Sequence, residues 1–133
     1  MIGIFLITHG TFGESLVQNV VHILGACPPQ LAQLGVFAQD DPCSLLPQAQ
    51  RVLQALDGGE GVLVMTDVLG ASPSKLAMRL LEPGRIEGVA GLNLPMLLRV
   101  LTYRQNGMEM LVQKALSGGR DGVINMHRPS PVN

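Results

Sequence analysis

The chain has no tryptophan, one tyrosine and three phenylalanines, so aromatic residues fill only 3% of its 133 positions. Neither a stacking platform for bases nor an aromatic belt at a membrane interface can be assembled from so few rings. Charge is scarce as well, at 14% of residues, where an average soluble domain has about 25%. Nine basic and ten acidic residues leave a net charge of −1. No lysine or arginine cluster of the kind that neutralises a phosphate backbone is present, so nucleic acid is not an expected partner. The strongest apolar run, Met1 to Ile7, falls far short of the ~20 residues of a membrane span. It also lacks the basic leader and small-residue cleavage site of a secretory signal. A cytoplasmic protein with no direct membrane insertion is expected.

Site motifs are missing in turn. Cys27 and Cys43 stand in no CxxC arrangement and read as reduced, small apolar side chains. No histidine pair at helical spacing suggests a metal. There is no GxxxxGK[ST], no GxSxG, and Gly10-Thr11-Phe12-Gly13 lacks the spacing of a dinucleotide loop. Neither cofactor nor metal is expected.

What is present is an alternation of short apolar runs with helical periods. Apolar residues make up 47% of a chain long enough to bury roughly two thirds of its unfolded surface as one domain. Ile2 to Thr8 reads as a strand buried on both faces. From Gly13 to Leu24 the period changes, setting Leu16, Val17, Val20, Val21 and Leu24 on one helical face before Gly25. A second strand is expected over Leu34 to Ala38, and a helix from about Cys43 behind Asp40-Asp41-Pro42, with Leu45, Leu46, Ala49, Val52, Leu53 and Leu56 inward. Gly61 to Thr66 forms a third strand. Ser72 is expected to cap the next helix, with Pro73 as its first residue. Ile86 to Leu92 gives a fourth strand, and Asn93-Leu94-Pro95 opens a helix to about Tyr103. A last helix, Met108 to Leu116, is expected to break at Gly118-Gly119 before a short edge strand near Val123 to Asn125. The class is α/β, with a mainly parallel, doubly wound sheet. Residues 1–126 form a single domain, and 127–133 a disordered tail.

In such a sheet the carboxyl ends of the strands form the ligand edge. That edge receives His9 from the first strand, Asp67 from the third and Ser72 from the following helix. Taken alone, a histidine there could merely end a strand, an aspartate cap a loop and a serine cap a helix. In a sheet ordered 2-1-3-4 the first and third strands are neighbours and His9 would sit beside Asp67, where a carboxylate accepting Nδ1–H leaves Nε2 as the nucleophile and stabilises the positive ring formed on attack. Amides at Gly70, Ala71 and Ser72 supply donors for a phosphoryl group. Gly10, Phe12, Leu69, Asn93 and Met96 are assigned to the rim as contact or shaping residues. His22 and His127 have no partner in prospect and are read as incidental.

Four segments together, Thr8-His9-Gly10, Asp67 to Pro73, Gly91 to Met96 and Gly119-Arg120-Asp121-Gly122-Val123, resemble the enzyme IIA domain of the mannose family of the bacterial phosphoenolpyruvate:sugar phosphotransferase system. Nearly all of residues 1–126 is covered. The resemblance implies a doubly wound sheet in the order 2-1-3-4 and a homodimer that exchanges its terminal strand. It also implies that His9 takes a phosphoryl group on Nε2 from the carrier HPr and passes it to a histidine of a IIB protein on a separate chain, with Asp67 holding Nδ1 and Ser72 helping to bind the group. Where relatives often carry a second glycine, this chain has Ala71. Two other roles stay open: a stand-alone regulatory module switched by phosphorylation of His9, and the phosphotransferase subunit of a dihydroxyacetone kinase system.

Overall fold

The computed structural model describes residues 1–127. Four strands, β1 (Gly3–His9), β2 (Leu31–Val36), β3 (Val62–Thr66) and β4 (Ile86–Ala90), form one sheet in the order β2-β1-β3-β4, with all three pairings parallel. Between and after them run α1 (Phe12–Leu24), α2 (Leu46–Leu56), α3 (Ser72–Met78), α4 (Leu94–Thr102) and α5 (Met108–Asp121). The central strands are apolar at nearly every position because helices cover both faces. Ile4 and Leu6 of β1, with Leu63 and Met65 of β3, join a core under α1, α4 and α5. Phe5 and Ile7, with Val62 and Val64, face the core under α2 and α3. Each such Leu, Ile or Phe taken out of water contributes about 1.5–3 kcal/mol.

Several boundaries differ from the sequence expectation. The second strand is Leu31–Val36, because Ala32 and Gln33 pair with Phe5 and Leu6 of β1 directly after the two prolines. Phe37 has already left the sheet, its N–H bound by the Asp40 carboxylate at 2.8 Å. The helix expected from Cys43 begins as a 3-10 turn, Pro42–Leu45, with Asp41 capping the Cys43 N–H at 3.0 Å. Leu24, assigned to the inner face of α1, is 52% exposed beside the left-handed Gly25 that ends the helix.

The largest correction concerns α5, which continues through Gly118 and Gly119 to Asp121. These glycines let two helices touch. A Cβ on Gly118 would lie 2.9 Å from the Arg99 Cβ, and one on Gly119 would lie 2.8 Å from the Met96 Cε. Close packing of α5 on α4 therefore overrides the helix-breaking tendency of glycine, about 1 kcal/mol per residue. The short edge strand expected over Val123 to Asn125 does not form within the single chain; those residues are irregular and exposed, and β4 remains an edge. Apart from His127, the tail expected at 127–133 lies outside the described residues.

At the amino end of the sheet sits a group that the sequence did not announce. Arg104, 3% exposed, donates to the carbonyls of Ile2 at 3.0 Å, Pro29 at 2.6 Å and Gln30 at 2.8 Å. It thus ties the start of β1 to the start of β2. Burial depresses its pKa, yet an arginine stays charged.

Candidate functional site

The register of β1 on β3, with Ile7 opposite Thr66, brings the last residue of one strand beside the first residue past the other. His9 and Asp67 meet there through a single carboxylate oxygen. The His9 backbone N–H donates to Asp67 Oδ2 at 3.0 Å, and Nδ1 lies 2.7 Å from the same oxygen. Because an ionised carboxylate only accepts, Nδ1 carries a hydrogen, and in the neutral ring the lone pair is then on Nε2. Among the described residues nothing bonds Nε2, and the His9 side chain is 52% exposed while that of Asp67 is 16% exposed. The other Asp67 oxygen accepts from the Val68 N–H at 3.1 Å, with the Thr66 hydroxyl at 3.4 Å.

Desolvation by burial is the largest influence on the Asp67 carboxyl and pushes its pKa up. The His9 backbone N–H, the bond from the His9 ring with its charge when that ring is protonated, and a local amide together outweigh it, so Asp67 titrates below its ordinary value. The carboxylate that orients the ring is thus held charged. On the other side of His9, the buried Thr8 hydroxyl accepts from the Gly13 N–H at 2.8 Å, fastening the first turn of α1 to the end of β1.

The loop from Asp67 to α3 corrects two expectations. Ser72 is the first helical residue and Ala71 occupies the cap position without a side-chain cap bond; Ser72 is not the N-cap. Gly70 was assigned as an anion donor, but its N–H is bound to the Ser74 hydroxyl at 2.8 Å, so it is not free. Ser74, 1% exposed, also donates to the Ala71 carbonyl at 2.9 Å. Ser72 is exposed, and its hydroxyl has no partner among the described residues.

The remaining rim residues divide. Gly10 takes a positive φ of 49° at the turn after His9. Phe12 is 40% exposed and Leu69 70% exposed. Asn93 is half-buried and structural: its side-chain oxygen accepts from the Met96 N–H at 2.9 Å, and its amide donates to the Gly119 carbonyl at 3.1 Å. Met96 is 4% exposed and lies in the core beneath α4, so it does not belong to the contact surface. Phe37, which sequence reasoning passed over, is 46% exposed, and its ring lies 3.8 Å from where a Cβ on Gly10 would be. The strand expected over Leu34 to Ala38 enclosed it; only with the strand ending at Val36 does it fall at the carboxyl edge. His22 and His127 are exposed and distant in sequence from these groups.

Among the described residues, no three His, Cys, Asp or Glu side chains gather where they could hold a metal ion, and no helix is long and apolar enough to cross a membrane. The arrangement offers an oriented, accessible imidazole backed by a carboxylate, and an exposed serine, Ser72, at the start of the helix that follows Asp67. Chemically, that suits reversible bonding of an electrophile to Nε2.

Comparison with known proteins identifies the lineage. The mannose-specific EIIAB component of the phosphotransferase system (PTS) from Escherichia coli K12 is 30% identical over 125 residues, which cover 92% of this chain and 38% of that protein. The Shigella flexneri component of the same name matches to the same extent. The chain thus spans well under half the length of these curated relatives. Among solved structures, phosphotransferase system component EIIA from Streptococcus agalactiae has a TM-score of 0.84 at 23% identity, covering 96% of this chain and 98% of that one. The mannose/sorbose-specific IIA subunit from Enterococcus faecalis has a TM-score of 0.83 at 22% identity, covering 97% of each chain. Those two likenesses establish the fold, an all-parallel sheet in the order 2-1-3-4. Residues 3–116 match the EIIA-man family, described as the PTS system fructose IIA component. The match runs from the first strand into the last helix, and the chain belongs to this family of phosphotransferase-system IIA components of sugar transport.

Proposed function

We propose that the protein is a cytoplasmic phosphocarrier in which His9 Nε2 accepts a phosphoryl group from phosphorylated HPr and passes it to a histidine of a IIB protein. The observation that carries this reading is the 2.7 Å contact from His9 Nδ1 to Asp67, which turns the opposite nitrogen outward on an exposed ring. In the step itself, the Nε2 lone pair bonds to phosphorus while the donor's N–P bond breaks, its electron pair returning to the donor imidazole. His9 becomes a positive ring, and Asp67 stabilises it through Nδ1–H. Ser72 and the neighbouring Ala71 amide bind the phosphoryl oxygens. Little covalent chemistry is asked of the protein: it aligns two imidazoles about one loosely held group. The reverse step hands the group to the acceptor.

Phe12, Phe37, Val68 and Leu69, each exposed around this edge, form the apolar surface against which both partner proteins dock. The single domain ends near residue 126. A homodimer formed by exchange of the segment after α5 accounts for the exposed Val123 at 79%, Ile124 at 44% and Met126 at 95%, because an unpaired β4 edge is a ready template for another strand.

The direct test incubates the protein with phosphoenolpyruvate, enzyme I and HPr and follows intact mass. The reading expects one acid-labile phosphate on the wild type and none on His9→Gln. Phosphorylation of His9→Gln at the wild-type rate would sink it.

A further inference from the structure

Ser74 lies on the inward face of α3, 1% exposed, between the core side chains Leu76 and Ala77 and the loop that precedes the helix. A buried hydroxyl costs free energy unless it is bonded. Here both of its bonds go to that loop: it accepts the Gly70 N–H and donates to the Ala71 carbonyl. In an ordinary capping box the third helical side chain reaches back to the cap residue. Ser74 reaches one residue further, to Gly70, whose φ of 96° lies where only glycine is comfortable. Gly70 is also the residue with the greatest freedom to wander when untethered. The Lys75 N–H holds the same Ala71 carbonyl at 3.1 Å, so the turn from Gly70 to Ser72 is fixed from the helix side by three bonds. No other side chain among the described residues bonds this turn.

From this geometry we infer that Ser74 is a positioning residue for phosphoryl transfer, holding the Gly70–Ser72 turn in the shape that presents Ser72 to the group on His9. The inference rests on the phosphocarrier reading and deepens it. Ser74 touches no reacting atom; it acts through Ser72. Because Gly70 is itself exposed, water can take over the bond that Ser74 supplies. Loss of the hydroxyl therefore loosens the turn and leaves the fold standing. Misplacement of a binding group by about an ångström costs up to 10²-fold in rate, and a loosened turn that still visits the right shape costs less, about tenfold.

The experiment measures kcat and KM for phosphoryl transfer from phosphorylated HPr to the protein, with melting curves recorded in parallel. Ser74→Ala is expected to lower kcat about tenfold with KM changed by less than about twofold. Ser74→Thr, which keeps the hydroxyl, recovers most of that loss. Ser72→Ala combined with Ser74→Ala is expected to lose less than the product of the two single losses, since both act on the one turn. Wild-type kcat in Ser74→Ala, with His9→Gln still inert, overturns this inference and leaves the phosphocarrier reading intact. Independent losses that multiply in the double variant likewise overturn the route through Ser72. Phosphorylation of His9→Gln overturns the underlying reading instead.

Discussion

The two ends of the sheet carry polar side chains under opposite conditions. At the amino end, Arg104 is 3% exposed and its guanidinium is spent on three backbone carbonyls. At the carboxyl end, His9 is half exposed, and only one of its two ring nitrogens is engaged. A buried polar group with each of its nitrogens bonded is a device for holding strands together, because its alternative is an unpaired group in a dry interior. A partly exposed group held on one side and open on the other is poised to react. Saturation, more than polarity, separates the structural end from the functional one.

Substitutions at each end should break different properties. The largest expected effect is at His9: His9→Gln removes phosphoryl acceptance entirely while leaving the melting temperature within a few degrees of wild type, as intact-mass analysis and calorimetry will show. Asp67→Ala frees the ring, and the loss of a charged hydrogen bond of about 1.5–3 kcal/mol slows transfer about 10- to 100-fold, measured by single-turnover phosphorylation. Arg104→Met inverts the pattern. Losing three charge-assisted bonds at the amino end of the sheet costs about 3 kcal/mol, roughly 10 °C in Tm, while the rate per folded molecule stays at the wild-type value. A slowed rate at full folding would mean that the two ends are coupled, and the contrast drawn here would fail.

The smallest effect is in acid. Asp67 titrates below its ordinary value despite the opposing push of desolvation, and Asp57, held first by the Gly59 amide and then by the Gly61 amide and Arg85, is lowered too. A carboxyl depressed in the folded state stabilises the fold above its unfolded pKa, and that contribution disappears as pH falls through the folded value. Asp67→Asn should therefore lose less stability than wild type between about pH 5 and pH 3, the range around an ordinary aspartate pKa, in urea titrations. Equal losses would show that the His9 contact contributes nothing to the native state.

Much of this contrast was legible in the sequence, and the part that was not has physical causes. β1 and β3 could be read from unbroken apolar runs because both their faces are covered, and their adjacency was enough to set His9 beside Asp67. β2 was misplaced because Gln33, a polar residue inside a strand, hid its first half. Gly118 and Gly119 read as a helix stop because local propensity says so; their role as the contact of α5 with α4 depends on Arg99 and Met96, which no local window contains. Met96 looked like a rim residue by its position after Asn93, yet helical rotation turns it into the core. Ser72 was credited with the cap because it precedes proline, whereas the bonded serine is Ser74. Arg104 gave no signal at all, since its partners are backbone carbonyls remote in the chain.

The central claim is that Asp67 holds Nδ1 and leaves Nε2 to react. It is tested most directly by NMR on protein labelled with 15N in the imidazole rings and phosphorylated through HPr. The account predicts phosphorus coupling at Nε2 of His9, with Nδ1 retaining its proton and its bond to Asp67. Coupling at Nδ1, or at a residue other than His9, would contradict it.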